Sequence, residues 1–438
     1  MIRSASHCRL SLLRAITMIL SVVALTSCVQ PIYAPRYPEV GPTSWPMYQL
    51  FPTHNAVLSN ADLDAAWETD AGGQINGGVA VSSGRVVVDT FNKEVLAIDI
   101  ADGFILWRSP LKDIAMSTPV ISNGVVFVGT GHNGRLHQSA NQRYKYTPNE
   151  PGDPTWGTAG GDDIVGITLE SGKTLWTRRT VGEDMPSPAI AGGTLVLANG
   201  DLHAYGIAVK SGDVLWRDAL DGYASMASAM YAGNRAYVSV CNDAPYRCST
   251  VALDPESGKI LWRSPHGHSD SSPTYGGGLV FVSGVDNIKG EVYPQGGYST
   301  VAALDAKTGK VMWTYSSHGF GPYTEVASNE RAITGTFAAQ TYYQAFPSLD
   351  ELVAFNARSG RARWTFHSEA PIKMSPIINR GRLYVGDIAG ILYVIDASNG
   401  ALLTSRLFAE PFTTSPPVVI GNVVIVANDT HVYAIPIR

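Results

Sequence analysis

The chain alternates short apolar runs with turn formers. A small-residue segment, Met116-Ser117-Thr118-Pro119-Val120, leads through a turn at Gly124 into Val125-Val126-Phe127-Val128. The same cycle is completed elsewhere by Ser249-Thr250-Val251-Ala252-Leu253-Asp254, a turn holding Ser257-Gly258, and Lys259-Ile260-Leu261-Trp262. β-Branched residues in runs this short predict strands of a packed sheet, and Asp and Gly predict the tight turns between them. Each cycle therefore predicts four strands.

The last strand of the cycle recurs as Phe104–Trp107, Lys173–Trp176, Asp213–Trp216, Lys259–Trp262, Lys310–Trp313 and Arg361–Trp364, usually as Gly-x-x-x-Trp. A further copy, Ala401–Thr404, has Thr at the Trp position. His431-Val432-Tyr433-Ala434-Ile435 reads as a third strand with no fourth after it, while Asp64-Ala65-Ala66-Trp67 reads as a fourth strand with none before it. Pairing the two closes a ring and removes exposed edges. The expectation is an all-β protein: an eight-bladed β-propeller of four-stranded antiparallel blades, closed by the N-terminal strand. The repeat tryptophans Trp67, Trp107, Trp176, Trp216, Trp262, Trp313 and Trp364 are expected to pack blade against blade.

The N-terminus reads differently. Arg3, Arg9 and Arg14 precede the apolar run Ile16 to Leu25 and the tetrad Leu25-Thr26-Ser27-Cys28. That run is too short for a permanent membrane span and suits a signal peptide over 1–27. Leu-Thr-Ser-Cys resembles a bacterial lipobox, which implies cleavage before Cys28 and lipidation of that residue. Val29 stands where an inner-membrane retention signal would place Asp, so the expected location is the outer membrane, on its periplasmic face. Residues 28–60 read as a tether and 61–438 as the propeller. Past the leader, 29 basic face 37 acidic side chains, a balance of −8 with no basic run, which argues against a nucleic-acid partner. Cys241 and Cys248 flank a six-residue loop, as a disulfide across a hairpin or as two free thiols.

Trp-to-Trp spacing varies from 40 to 69 residues, which places inserts near 130–162, 241–248, 283–298 and 337–350, between second and third strands. In a meander these loops share one end of the blades with the connections that follow the fourth strands. The inserts carry Tyr144, Tyr146, Trp156, Tyr246, Tyr293, Tyr298, Tyr342, Tyr343 and Phe346. Such residues suit a recognition surface, or alternatively they pack their own loops shut.

The unit resembles the quinoprotein-type repeat named for PQQ-dependent dehydrogenases. The lipobox, Lys373-Met374-Ser375-Pro376 through Leu383-Tyr384-Val385-Gly386-Asp387, and the Val432-Tyr433-Ala434-Ile435 ending resemble the BamB-like lipoproteins. That resemblance implies a non-catalytic scaffold engaging outer-membrane assembly proteins or client chains, held to the membrane by its lipid, with no cofactor. The Leu-x-Leu-Arg docking loop of that family is replaced here by Asp221-Gly222-Tyr223-Ala224-Ser225-Met226.

Trp45-Pro46-Met47-Tyr48 and Ser299-Thr300-Val301 through Trp313-Thr314-Tyr315 are similar instead to quinoprotein dehydrogenases. That implies, as the alternative, PQQ and Ca²⁺ binding at a degenerate site. The chain has no adjacent Cys pair, no Cys-x-x-Cys-His, and Ser316 to Thr324 where those enzymes place a catalytic Asp, with Glu325 as a displaced candidate. His266, His268 and Asp270 share one loop, read as solvated rather than metal-binding. No catalytic residue and no metal ligand is assigned from sequence.

Overall fold

The computed structural model describes residues 57–58, 66–75, 77–131, 163–180, 182–243, 246–286, 298–316, 335–412, 414–420 and 423–436. These form eight four-stranded antiparallel blades, an eight-bladed β-propeller, with one short 3₁₀ turn at Pro347–Leu349. Blade 1 runs Ala80–Ser82, Arg85–Thr90, Glu94–Asp99 and Ile105–Pro110. Blade 4 runs Met230–Ala232, Arg235–Asp243, Tyr246–Leu253 and Ile260–Ser264. Blade 7 adds Val57–Leu58, which pairs in parallel with its first strand, Ile377–Asn379. Blade 8 takes its third strand from His431–Pro436 and its fourth from Trp67–Asp70, paired antiparallel with Trp67 opposite Ala434. First strands of neighbouring blades approach one another, so they line the centre of the ring.

The Gly-x-x-x-Trp motif has a physical explanation that spans two blades. Each repeat Trp donates its indole N–H to a carbonyl at the turn between the third and fourth strands of the next blade. Trp67 reaches Ile100, Trp107 reaches Leu169 and Trp176 reaches Val209, at 2.9, 2.9 and 3.2 Å. Trp216, Trp262, Trp313 and Trp364 do the same to Pro255, Ala306, Ala357 and Ala397. The ring then lies on the glycine of that turn. A Cβ on Gly309 would fall 2.5 Å from the Trp262 ring, and Gly309 has φ +70°, a conformation that glycine adopts without steric cost. The residue opposite each Trp from Trp107 to Trp364 on its own third strand is small: Ala97, Gly166, Gly206, Ala252, Ala303 and Ala354. A one-residue register shift follows it, and such a shift bends the strand locally.

Thr404 fits the same logic. Its blade faces blade 8, whose third and fourth strands come from distant parts of the chain and share no glycine turn. The residue opposite Thr404 is Val394 rather than Ala or Gly, so the local volume is redistributed. The loss of Trp there follows from ring closure. Thr404→Trp is expected to leave stability within about 0.5 kcal/mol or lower it, since no seat receives the indole. A rise in the urea midpoint would contradict this account.

The insert positions need correction. In blade 6 the second strand is Thr341–Phe346 and the third follows at Glu351–Asn356, so 337–350 is not an insert. The additional residues lie ahead of that blade, between Val311–Ser316 and Thr336–Ala338, in a stretch beyond the described residues. Residues 241–243 and 246–248 extend the strands of blade 4 as a long hairpin, and 283–286 extend those of blade 5. The meander still sets all of these positions at one end of the blades, termed the insert end below.

Candidate functional site

Three of the aromatic residues expected on the recognition surface are core residues. Tyr342, Tyr343 and Phe346 are 1, 4 and 2% exposed. Tyr342 stacks on Phe281 at 4.4 Å, Tyr343 packs on Trp364, and Phe346 meets Tyr315 and Phe355. Alternate residues of a strand point to opposite faces, and a propeller blade is covered on both, so aromatics of either parity are buried. Tyr246 and Tyr298 begin third strands, opposite Asp243 and Asp286 at the hairpin tips. Tyr144, Tyr146, Trp156, Tyr293 and Cys28 lie outside the described residues. Cys241 and Cys248 are directly opposite and joined as a disulfide.

A feature that the sequence reading missed sits in blade 1. Pairing of first and second strands puts Ala80 opposite Val87, Val120 opposite Phe127, and the corresponding residues together in the other blades. Two residues beyond that reference point, the second strands carry Gly129, Ala198, Ser239, Ser283, Ala345, Gly386 and Ala427 in blades 2 to 8. Blade 1 alone places a charged type there, Asp89. The other blades need a small residue because a lead-in segment crosses at this height. A Cβ on Gly129 would lie 2.1 Å from the Asp184 carbonyl, and Ser271 Oγ meets Ser283 Oγ at 2.6 Å. Blade 1 makes room on the facing side. A Cβ on Gly77 would lie 2.8 Å from Asp89 Oδ1 and 2.2 Å from the Ser117 carbonyl. Aligning the repeats by their strand pairing, rather than by Trp, would have revealed it.

Asp89 is fully buried, and neither carboxyl oxygen has a hydrogen-bond partner beyond its own backbone. Burial holds it well above the ordinary carboxylate range, its own amide opposing this only in part, so it favours the neutral acid. The sign for stability follows. The folded state binds this proton more tightly than the unfolded chain, so the contribution is fully present below the unfolded pKa and is lost as pH rises through the folded one. Asp89→Asn is therefore expected to raise stability at pH 8 by on the order of 1–3 kcal/mol, seen as a higher melting temperature, and to change it little near pH 3.5. Melting curves at both pH values check this, and a gain that is equal at both would contradict the burial argument.

Around Asp89, the insert end of blades 1 and 2 carries paired charges. Lys93 Nζ lies 3.2 Å from Asp113, and Lys112 Nζ lies 3.4 Å from Asp163. The two carboxylates are buried while the lysine side chains are 44 and 72% exposed. Lys93 sits in the turn that follows the strand of Asp89, and Lys112 on the connection from blade 1 to blade 2. Further round the ring, Asp201 and Asp387 are held by Tyr205 and Arg217, and by Tyr393, in turns whose role is structural.

The family model described as outer membrane protein assembly factor BamB matches residues 56–235, 224–365 and 348–438. The tetrathionate hydrolase of Acidithiobacillus ferrooxidans is 25% identical over 428 residues, spanning 93% of this chain and 83% of that protein. The outer membrane protein assembly factor BamB of Salmonella typhimurium is 26% identical over 377 residues, spanning 84% of this chain and 74% of that one. In structure, BamB from Moraxella catarrhalis superposes with a TM-score of 0.59 at 15% identity, covering 85% of this chain and 98% of that one, which speaks to fold alone. With the repeat, the closed ring of eight blades and a family match across nearly every described residue, the chain belongs to the BamB family of PQQ-type repeat propellers.

Proposed function

We propose that this chain is an exported propeller that hydrolyses a polythionate at its insert end. The observation that carries this is Asp89, a buried, unpartnered carboxyl whose pKa is raised by burial, set where seven other blades have a small residue. Buried acids with raised pKa are the groups used for general acid catalysis near neutral pH. The similarity to a tetrathionate hydrolase over 93% of the chain supports the substrate class. In such a hydrolysis the oxygen of water bonds to one sulfur and the S–S pair departs on the other. Asp89 donates a proton to the departing sulfur and is reprotonated from the attacking water. Lys93 and Lys112, paired with Asp113 and Asp163, carry ammonium groups at the same end of blades 1 and 2, where an anionic substrate would approach. Because Asp89 is fully buried with Gly77 packed against its carboxyl, substrate binding must part the lead-in segment from the second strand.

The full-length chain in detergent, given tetrathionate, should release thiosulfate, and no release between pH 3 and 8 would overturn the reading. No step is routed through a quinone. The cystine here is a cross-strand pair rather than the adjacent pair that the dehydrogenase resemblance calls for, and Glu325 lies outside the described residues.

A second reading is a scaffold role in outer-membrane protein assembly, anchored through Cys28 on the periplasmic face. It is favoured by the family match and by the outer strand of blade 7, Leu402–Leu407, where all six residues are exposed and Leu407 is 71% exposed. Such an edge can add a strand from a client chain. Photocrosslinking from position 405 in cells should then recover outer-membrane assembly proteins or their clients.

A further inference from the structure

The insert end of blade 4 holds a second cluster with chemistry of its own. Cys241 and Cys248 face each other across the hairpin, and His268 arrives on the connection to blade 5. One donor atom from each of the three lies within 4.8 Å of the other two. Cys241 and His268 are buried, while Cys248 is half-buried and gives access from solvent.

The segment that carries His268 is held firmly. The Ser269 carbonyl accepts from the amides of Ser225, Met226 and Ala227 at 2.9, 2.9 and 2.8 Å, and the Ser269 amide donates to Cys241 Sγ at 3.1 Å. Gly267 has φ +128°, and a Cβ on it would fall 2.5 Å from Thr250 Oγ1. The Asp270 amide donates to His268 Nδ1 at 3.2 Å, with a carboxyl oxygen of Asp270 4.0 Å from the same nitrogen. Burial lowers the pKa of His268, and Asp270 opposes it.

We propose that this cluster is a redox-gated site for a soft d¹⁰ cation, Cu(I), held by Cys241, Cys248 and His268 in the reduced protein and released when the two cysteines form their disulfide. Two thiolates and an imidazole are three soft or borderline donors, the set that favours Cu(I) over hard cations. Three donors match trigonal Cu(I), whereas a closed tetrahedral zinc site needs a fourth. The redox step balances with a dithiol reductant. Its two thiols become a disulfide, and their two electrons and two protons convert the cystine to two thiols. Binding of Cu(I) then releases both thiol protons to solvent.

The test uses the full-length chain in detergent. It is reduced with a phosphine, kept under argon and titrated with Cu(I) against a chromogenic chelator, and circular dichroism confirms the propeller is folded. One Cu(I) per chain is expected, with a thiolate-to-copper absorption band, and none for the oxidised protein. Cys248→Ser should abolish tight binding. His268→Ala should weaken it at least tenfold. Three results would overturn the proposal: no Cu(I) taken up by the folded reduced chain, equal affinity in His268→Ala, or Zn(II) displacing Cu(I) at equal concentration. None of these bears on tetrathionate hydrolysis, which is read separately in the oxidised protein.

Discussion

Asp89→Asn is expected to lower the rate of tetrathionate hydrolysis by about 10²–10⁴-fold, the range that a positioned general acid contributes. The amide keeps the shape of the carboxyl and loses only the transferable proton. The same substitution should stabilise the protein at neutral pH, because it removes a buried ionisable group that has no partner. Loss of rate with gain of stability would separate a chemical role from a structural one. Asp89→Ser gives an independent check. It installs the residue that blades 4 and 5 already use at this position, as Ser239 and Ser283, so the fold should accept it while hydrolysis fails. A serine variant with wild-type turnover would remove Asp89 from the chemistry and leave the scaffold reading in front.

The seat of Trp262 offers the largest stability effect. Trp262 is 9% exposed, bonds the Ala306 carbonyl at 3.1 Å, packs beside Tyr237 at 5.7 Å and lies on Gly309. Trp262→Ala should cost about 3–5 kcal/mol, the transfer term plus the cavity left between blades 4 and 5. Gly309→Ala should cost about 2 kcal/mol or more. Part of that is the left-handed backbone and part the clash of its Cβ with the indole. The two should not add. Once the indole is gone the clash disappears and only the backbone part remains, so the double variant should be about 1 kcal/mol or more better than the sum. Denaturation of the four chains measures this directly. Additivity within 0.5 kcal/mol would show that Trp262 and Gly309 do not form one interlocking unit.

Much of the fold could be read from the sequence because the constraint is local and repeated. Each Trp needs a glycine turn and a small residue opposite it, and all of these sit at fixed spacing along the chain. Closure was legible for the same reason, since an orphan fourth strand at Trp67 and an orphan third strand at His431 can satisfy each other. Function was much less legible. Tyr342, Tyr343 and Phe346 read equally as a recognition surface or as packing, because a count of residues does not separate strand from insert, and the extra residues lie ahead of the first strand of blade 6 rather than after its second. Asp89 was invisible for a different reason. An aspartate near a turn has an ordinary appearance, and only strand pairing reveals that it takes a position the other blades reserve for Gly, Ala or Ser.

The sequence by itself determined the number of blades, the four-strand unit, the closing strand and the packing role of the tryptophans, because periodic hydrophobic patterning and turn chemistry act over neighbouring residues. The tertiary structure alone decided why Thr404 lacks a Trp, that Asp89 is buried without a partner, and that His268 meets Cys241 and Cys248. Each of those depends on which segments cross between adjacent blades. Burial and proximity at such crossings are properties of the assembled ring, carried by residues far apart in the chain.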